Sequence, residues 1–160
     1  MGALRVMLAV VAVIGVFGSW SALAQNQPAD NTQILMDKVK ADKKAVVAQN
    51  MKLTETEAKG FWPIYDAYQK DLAAINQRLI DTIKAYAQAY NANTLTDDQA
   101  QSLLASTIAI EESEVTLKKT YVPQLNKVLP GKKVARYIQI ENKIRAAVKY
   151  ELAKNIPLAP

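Results

Sequence analysis

The stretch that decides the fold is residues 53–90, which read LTETEAKGFWPIYDAYQKDLAAINQRLIDTIKAYAQAY. From Phe61 onward its apolar residues recur every three or four positions, which is the spacing of one face of an α-helix. The repeat nearly keeps a heptad through four periods. The members of this stripe are Phe61, Tyr65, Tyr68, Leu72, Ile75, Leu79, Ile83, Tyr86 and Tyr90. The pattern predicts one long amphipathic helix over residues 55–90.

Similar spacing predicts three more helices, over residues 33–49, 97–128 and 132–154. The helix over residues 97–128 also has a seven-residue repeat. Its members are Ile108, Val115, Val122 and Leu129, flanked by Leu103, Ile110, Leu117, Tyr121 and Leu125. The composition after residue 24 is rich in the helix formers Ala, Leu, Lys and Gln, and it includes only two glycines. We therefore predict an all-α, four-helix fold in a single domain over residues 33–155, followed by an extended tail over 156–160. The tail can fold back on the helices or lie free.

Prolines set the expected breaks in this scheme. Pro130 and Gly131 stand together between the third and fourth helices and predict a clean separation. Pro63 and Pro123 fall inside periodic runs, where a proline removes a backbone hydrogen bond and clashes with the preceding turn. We expect a kink at each, and the alternative is a split of the helix at the preceding residue.

Residues 1–24 have the features of a cleaved secretory signal peptide. Arg5 is their only charged residue, residues 6–17 form an apolar run, and residues 22–24 (Ala-Leu-Ala) match an A-x-A cleavage site. We predict cleavage after Ala24 and a periplasmic location, with residues 25–32 as a flexible leader. The remaining chain then holds 19 basic and 15 acidic residues.

The chain of 160 residues contains neither Cys nor His. This excludes disulfides, thiol nucleophiles, Cys/His zinc sites and Ser-His-Asp triads. Paired carboxylates are present, but on predicted helices with no glycine-rich loop and no set of metal ligands beside them. We therefore expect a protein that binds rather than catalyses, with no metal and no cofactor. An exported chain also meets little DNA or RNA, so nucleic acid is not expected as a partner.

Two short motifs stand where the two long helices should begin. Each places a leucine before a threonine, with a Glu or Gln three residues after the threonine, as in a capping box. The threonine hydroxyl and the Glu or Gln side chain then each satisfy an otherwise unpaired backbone N–H. The residues are Leu53, Thr54 and Glu57 in the first motif, and Leu95, Thr96 and Gln99 in the second.

These Leu-Thr-x-x-Gln-like motifs, in an exported all-helical chain of this size, resemble the LTxxQ motifs of the Spy/CpxP family of periplasmic stress proteins. The first motif departs from the pattern, because Glu57 stands where the family has Gln. The resemblance implies a cradle-shaped antiparallel dimer of bent helical hairpins that binds unfolding envelope proteins without ATP. It implies no metal site here, because the metal-handling relatives use His.

Helix length supports a dimer independently of the resemblance. A helix of some 36 residues is about 54 Å long, which is too long to be fully covered within a compact chain of this size. Part of its apolar stripe must therefore meet another surface, and two copies related by a twofold axis can bury such stripes against each other. We expect a homodimer.

Charge is distributed unevenly along the chain. Residues 91–117 hold five acids and no base, whereas residues 127–154 hold eight bases and two acids. One interpretation is a basic concave surface that attracts acidic, partly unfolded proteins. Its candidate residues are Lys38, Lys40, Lys43, Lys44, Lys132, Lys133, Arg136, Lys143 and Lys149. The other interpretation is a solvated or internally paired face, for example through an ion pair between Glu141 and Arg145.

Three functions fit these observations. The leading hypothesis is an exported, ATP-independent chaperone-like protein that binds unfolded or stressed envelope proteins through a basic and apolar surface. The second is a regulatory module that binds the periplasmic domain of an envelope-stress sensor. The third is a peripheral protein held on an anionic membrane surface by its basic fourth helix.

Overall fold

The computed structural model describes residues 42–160, and within them the chain forms four α-helices and no strand. We label the helical residues 42–51 α1, Glu55–Asn91 α2, Asp97–Leu125 α3 and Gly131–Asn155 α4. The predicted signal peptide, the leader, Lys38 and Lys40 lie outside the described residues. The all-α class is confirmed for the described part of the chain. No helix in that part is long and apolar enough to cross a membrane.

Both long helices begin with a complete capping box. The Thr54 hydroxyl accepts a hydrogen bond from the Glu57 N–H at 3.3 Å, and the Thr54 N–H donates to Glu57 Oε2 at 2.8 Å. Thr96 and Gln99 make the same reciprocal pair at 3.3 and 3.1 Å. The sequence-encoded start signals therefore fix where α2 and α3 begin.

Neither long helix breaks at its proline. Pro63 lies inside α2 and Pro123 lies inside the last turn of α3. Both proline rings are exposed, so the carbonyl that loses its hydrogen-bond donor can be solvated instead. α3 ends at Leu125, three residues before the predicted end, because the chain turns at residues 126–129 and Leu129 enters the core.

Contacts between side chains define how the helices run. Tyr121 of α3 lies against Tyr68 of α2, and Ser113 accepts a hydrogen bond from Arg78, so α2 and α3 are antiparallel. α4 packs beside both helices and runs antiparallel to α3. The shared core is rich in aromatic rings, with edge-on contacts such as Phe61 to Tyr137 at 5.1 Å between ring centroids. It also includes Val47 and Met51 of α1.

The face of α3 that enters the core differs in part from the sequence prediction. The flanking residues Ile110, Leu117, Tyr121 and Leu125 are buried, whereas Ile108 and Val115 are about half exposed. α3 carries apolar residues on two adjacent faces with the same seven-residue repeat. The face that meets α2 is the one that also carries the large Tyr121 ring and Leu125, both of which are buried.

Gly60 marks the closest approach between α2 and the turn that follows α3. A Cβ atom built at this position would lie 2.9 Å from Cβ of Val128, which is closer than real Cβ contacts. Any larger residue at position 60 must push the two segments apart. The absence of a side chain at Gly60 therefore sets the spacing at this end of the bundle.

The C-terminal tail folds back onto α2. The Tyr86 hydroxyl donates a hydrogen bond to the Pro157 carbonyl at 2.9 Å, and the Tyr86 ring lies beside Tyr90. Beyond this contact the chain leaves the surface, since Leu158 is 90 % exposed. Of the two alternatives for the tail, folding back describes its first residues.

The capping box of α3 gives a direct test of the fold. Replacing Thr96 with Ala should lower the free energy of unfolding by about 1 kcal/mol, because the Gln99 N–H loses its acceptor. Thermal or urea unfolding followed by circular dichroism measures the change.

Thr107 is the matched control, since it lies inside the same helix and its hydroxyl bonds only to the Leu103 carbonyl one turn earlier. Thr107→Ala should be neutral or slightly stabilising, because Ala has the higher helix propensity. Equal losses in the two variants would contradict a specific capping role for Thr96.

Candidate functional site

The most buried polar group described is the carboxylate of Glu141 on α4, whose residue is 4 % exposed. Lys43 of α1 donates to its Oε2 at 2.8 Å, and the Gln69 amide of α2 donates to its Oε1 at 2.8 Å. Lys43 also donates to Gln69 Oε1 at 2.7 Å. We call Glu141, Lys43 and Gln69 the Glu141 network. Each of the three side chains is hydrogen-bonded to the other two. It joins α1, α2 and α4 at one point.

Three tyrosines surround the Glu141 network and stay neutral. Burial raises the pKa of Tyr65, Tyr68 and Tyr137, and the negative charge of Glu141 raises each further. The Gln69 amide also donates to the Tyr137 hydroxyl at 3.3 Å. These phenols therefore provide a neutral, closely packed surround rather than proton donors for chemistry near neutral pH.

A second buried charge pair joins the three longest helices farther along. Glu114 of α3 is 7 % exposed and pairs with Arg145 of α4. Arg145 also donates to Asn76 Oδ1 of α2 at 2.7 Å, and burial lowers its pKa. Lys149 adds an exposed contact to Glu111 at 3.0 Å. The ion pair between Glu141 and Arg145 that the sequence suggested is not formed, because each of the two side chains bonds to another helix instead.

A third contact fixes the carboxyl end of α1. Lys133 donates to the Lys52 carbonyl at 3.1 Å and pairs with Glu57, whose pKa is lowered chiefly by that hydrogen bond. Arg136 donates to the Asn50 carbonyl at 3.3 Å. Cations that bond the last carbonyls of a helix satisfy groups that otherwise lack partners and oppose the negative end of its dipole.

The predicted basic residues therefore divide into two groups. The first group bonds to other parts of the same chain and consists of Lys43, Lys44, Lys133, Arg136 and Lys149. Lys44 donates to Asp66 at 2.8 Å, and its ammonium also lies 5.1 Å from the Trp62 ring centre. Lys132 and Lys143 are exposed and have no acidic partner among residues 42–160. Much of the predicted basic surface thus serves pairing within the chain.

An exposed apolar stripe runs along α3. Two of its members, Ile108 and Val115, belong to the heptad predicted for this helix, whereas the predicted pattern did not include Leu104. Leu104 is 60 % exposed, Ile108 49 % and Val115 50 %. Their spacing of four and seven places them on one side of the helix. We call these three residues the α3 stripe. In the sequence, this second apolar face was signalled by Ile108 and Val115, which are seven residues apart beside the buried pair Ile110 and Leu117. No neighbouring helix in the described part of the chain covers it.

A shallow groove of about 600 Å³ lies between α2 and α3. It is lined mainly by small and hydroxyl-bearing side chains, including Ala74, Ala109 and Thr116, with the Ile75 side chain at its floor. On its wall Tyr121 donates to Asp71 at 2.6 Å, which raises the pKa of Tyr121 to about 12. The groove is open to solvent.

Residues 42–160 contain no group of three or more His, Cys, Asp or Glu side chains arranged to hold a metal ion. The two buried carboxylates, Glu114 and Glu141, are each bonded to a cation and do not face a cavity. Both carboxylates therefore join helices to one another.

The Glu141 network should dominate the docking of α1. Glu141→Gln removes the charge that compensates Lys43, whose side chain is only 16 % exposed, and leaves a mostly buried ammonium without an anion. Breaking such a pair costs about 3 kcal/mol, so we expect a loss of this size in the free energy of unfolding, measured by urea denaturation.

Asp66→Asn is the matched control, because Asp66 also accepts from a lysine of α1 but at the exposed surface. Its loss should be below about 1 kcal/mol. Lys43→Met in the Glu141→Gln background should recover part of the stability, since no buried charge then remains. Similar small losses at positions 66 and 141 would show that the network does not hold α1.

No protein-family model, curated protein or solved structure matches the chain. The resemblance to the Spy/CpxP family therefore remains a prediction that rests on the motifs at residues 53–57 and 95–99.

Proposed function

We propose that the protein is an exported, ATP-independent chaperone-like protein that binds unfolded or stressed envelope proteins in the periplasm. It acts through apolar surface and fixed charge rather than through catalysis. Unfolded polypeptides share exposed apolar side chains and little else, so a surface that captures many of them must be apolar, accessible and without a shaped pocket.

The observation that carries this proposal is the α3 stripe. Leu104, Ile108 and Val115 leave half or more of their surface in solvent, although the same helix has a well-filled core face. Exposed acids and bases flank the stripe, with Glu111 and Glu112 beside its centre and Lys119 beyond it. An apolar strip between charged borders holds an unfolded segment weakly and releases it readily, which suits a chaperone that uses no ATP.

The regulatory hypothesis predicts a different pattern of binding. A module that recognises one sensor domain needs a specific, shaped surface and gives no protection to unrelated proteins. The α3 stripe and the open α2–α3 groove are both shallow and chemically simple, which favours broad over specific recognition.

The α3 stripe provides the test of chaperone-like binding. Ile108→Glu combined with Val115→Glu should weaken protection of several unrelated denatured proteins by roughly tenfold or more, because two half-exposed apolar side chains are lost from the contact. Light scattering of aggregating clients, with the protein at equimolar ratio, measures the effect.

Ala73→Glu combined with Ala85→Glu is the matched control, since it adds the same charge at exposed positions of α2. This variant should protect like the original protein. Absence of protection by the original protein for every client would reject the chaperone in favour of the regulatory module.

We further propose that two copies associate as an antiparallel dimer of bent helical hairpins along α3. In α3, five acids stand between Asp97 and Glu114 with no base among them, and Lys118 and Lys119 follow. Antiparallel pairing brings the acidic start of each α3 toward Lys118 and Lys119 of the other copy and brings the two copies of the α3 stripe together. The stripe would then serve both the partner copy and the client.

A dimer at micromolar concentration is the expected result of static light scattering on the purified protein. Ile108→Glu should shift it toward monomer, since the charged side chain would be buried at the twofold contact. Because one stripe cannot hold both partners, client protection per molecule should fall as the protein concentration rises. A monomer at micromolar concentration would reject the dimer and leave the client proposal intact.

A further inference from the structure

The net charge of the described chain is concentrated at one end of the bundle. Residues 50–60 and 126–136, which contain the α1–α2 and α3–α4 turns, hold six bases and two acids. That excess of four equals the excess over all of residues 42–160, which hold 17 bases and 13 acids. The rest of the described chain is therefore neutral overall. We call these two segments the basic end; its bases are Lys52, Lys59, Lys127, Lys132, Lys133 and Arg136.

Contacts hold the two segments of the basic end together. Val128 lies against Gly60, Lys133 bonds to the Lys52 carbonyl and to Glu57, and Arg136 bonds to the Asn50 carbonyl. Lys133 and Arg136 thus have an internal role. Lys52, Lys59, Lys127 and Lys132 are exposed and have no ion-pair partner among residues 42–160, so four positive charges face solvent from one rigid end.

Two features at this end work against local stability. Lys52 has a φ of 45°, a left-handed conformation that favours Gly or Asn. Among the described non-glycine residues, only Asn93 also has a positive φ, and asparagine adopts this conformation more readily than lysine does. α2 and α3 each begin with acids in the first turn, but α4 begins with Lys132 and Lys133 and no acid, against the helix dipole. Departures from local preference that accumulate in one place indicate a functional surface.

We propose that the basic end docks the bundle end-on to a phosphate-bearing anionic membrane surface. Such a surface presents many negative charges and demands no pocket. The depression at Tyr86 and Tyr90 and the groove between α2 and α3 both lie away from this end. Of the large exposed apolar side chains, only Val46 lies near this end, one turn before Asn50. An unfolded acidic polypeptide would need an apolar patch that a single valine does not provide, whereas lipid phosphates need only the charge.

End-on docking leaves the α3 stripe accessible. Ile108 lies 19 residues from Lys127 along the chain, or roughly 30 Å at the rise of an α-helix, so a bilayer beneath the basic end does not cover it. The protein would be held at the membrane surface with its apolar stripe facing the periplasmic space. This inference does not depend on the chaperone proposal, because vesicle binding and client protection are measured separately and involve different residues.

The test is sedimentation of the full chain with vesicles of phosphatidylcholine that contain phosphatidylglycerol, and with vesicles of phosphatidylcholine alone. The ratio of the two partition coefficients isolates the charge-dependent binding, since any apolar contribution from residues 1–24 acts on both. We expect strong preference for the anionic vesicles at low salt and its loss near 1 M salt, where the Debye length is about 3 Å.

The test variant replaces Lys52, Lys59, Lys127 and Lys132 with Gln, and the matched control replaces Lys70, Lys84, Lys143 and Lys154 with Gln. All eight are exposed and without an ion-pair partner among the described residues. Each base near an anionic surface contributes about a fivefold factor, so the test variant should lose the preference by a hundredfold or more, and the control by much less.

Three outcomes would overturn the proposal. The first is an original protein that does not prefer anionic vesicles, and the second is an equal loss in both variants, which would show dependence on net charge alone. The third is a test variant that still binds anionic vesicles but no longer captures acidic denatured proteins, which would assign the basic end to polypeptides. Circular dichroism of both variants confirms that each is folded before the comparison is made.

Discussion

The buried carboxylate of Glu141 is the constraint on which the described structure depends. A charge removed from water must be paired and hydrogen-bonded, or folding is strongly disfavoured. Lys43 and Gln69 meet that requirement only when α1, α2 and α4 occupy one relative position. Apolar burial is largely non-directional, whereas the hydrogen bonds of this network require a defined distance and direction. Glu114 and Arg145 repeat the device with α3, so all four helices are held in register by buried charge within an apolar core.

Buried and exposed charges have different roles in this arrangement. The buried ion pairs fix the relative positions of the helices, and Lys133 and Arg136 bond to backbone carbonyls at the end of α1. The proposed contacts use the apolar surface of α3 and the exposed lysines at the basic end. A protein without Cys or His has few ways to respond to redox state or to mild changes in pH, so contacts of this kind would be little affected when those conditions vary.

Local features of the fold were predictable from the sequence because they depend on neighbouring residues. Thr54 with Glu57 and Thr96 with Gln99 mark helix starts that need no information from the rest of the chain. The choice between two apolar faces on α3 was not predictable, since Ile108 and Ile110 both belong to seven-residue repeats and only the packed partner decides between them. The pairing of Lys43 with Glu141 spans 98 positions, and the sequence offered Arg145 as a nearer and equally reasonable partner.

The contact at Gly60 has a consequence for how this chain can change over evolutionary time. With 2.9 Å between a Cβ atom at position 60 and that of Val128, the two positions cannot vary independently. A lineage that acquires alanine at position 60 must also shrink residue 128 or shift the turn that carries it. Homologous chains should therefore show linked substitutions here, with small residues exchanged between the two sites.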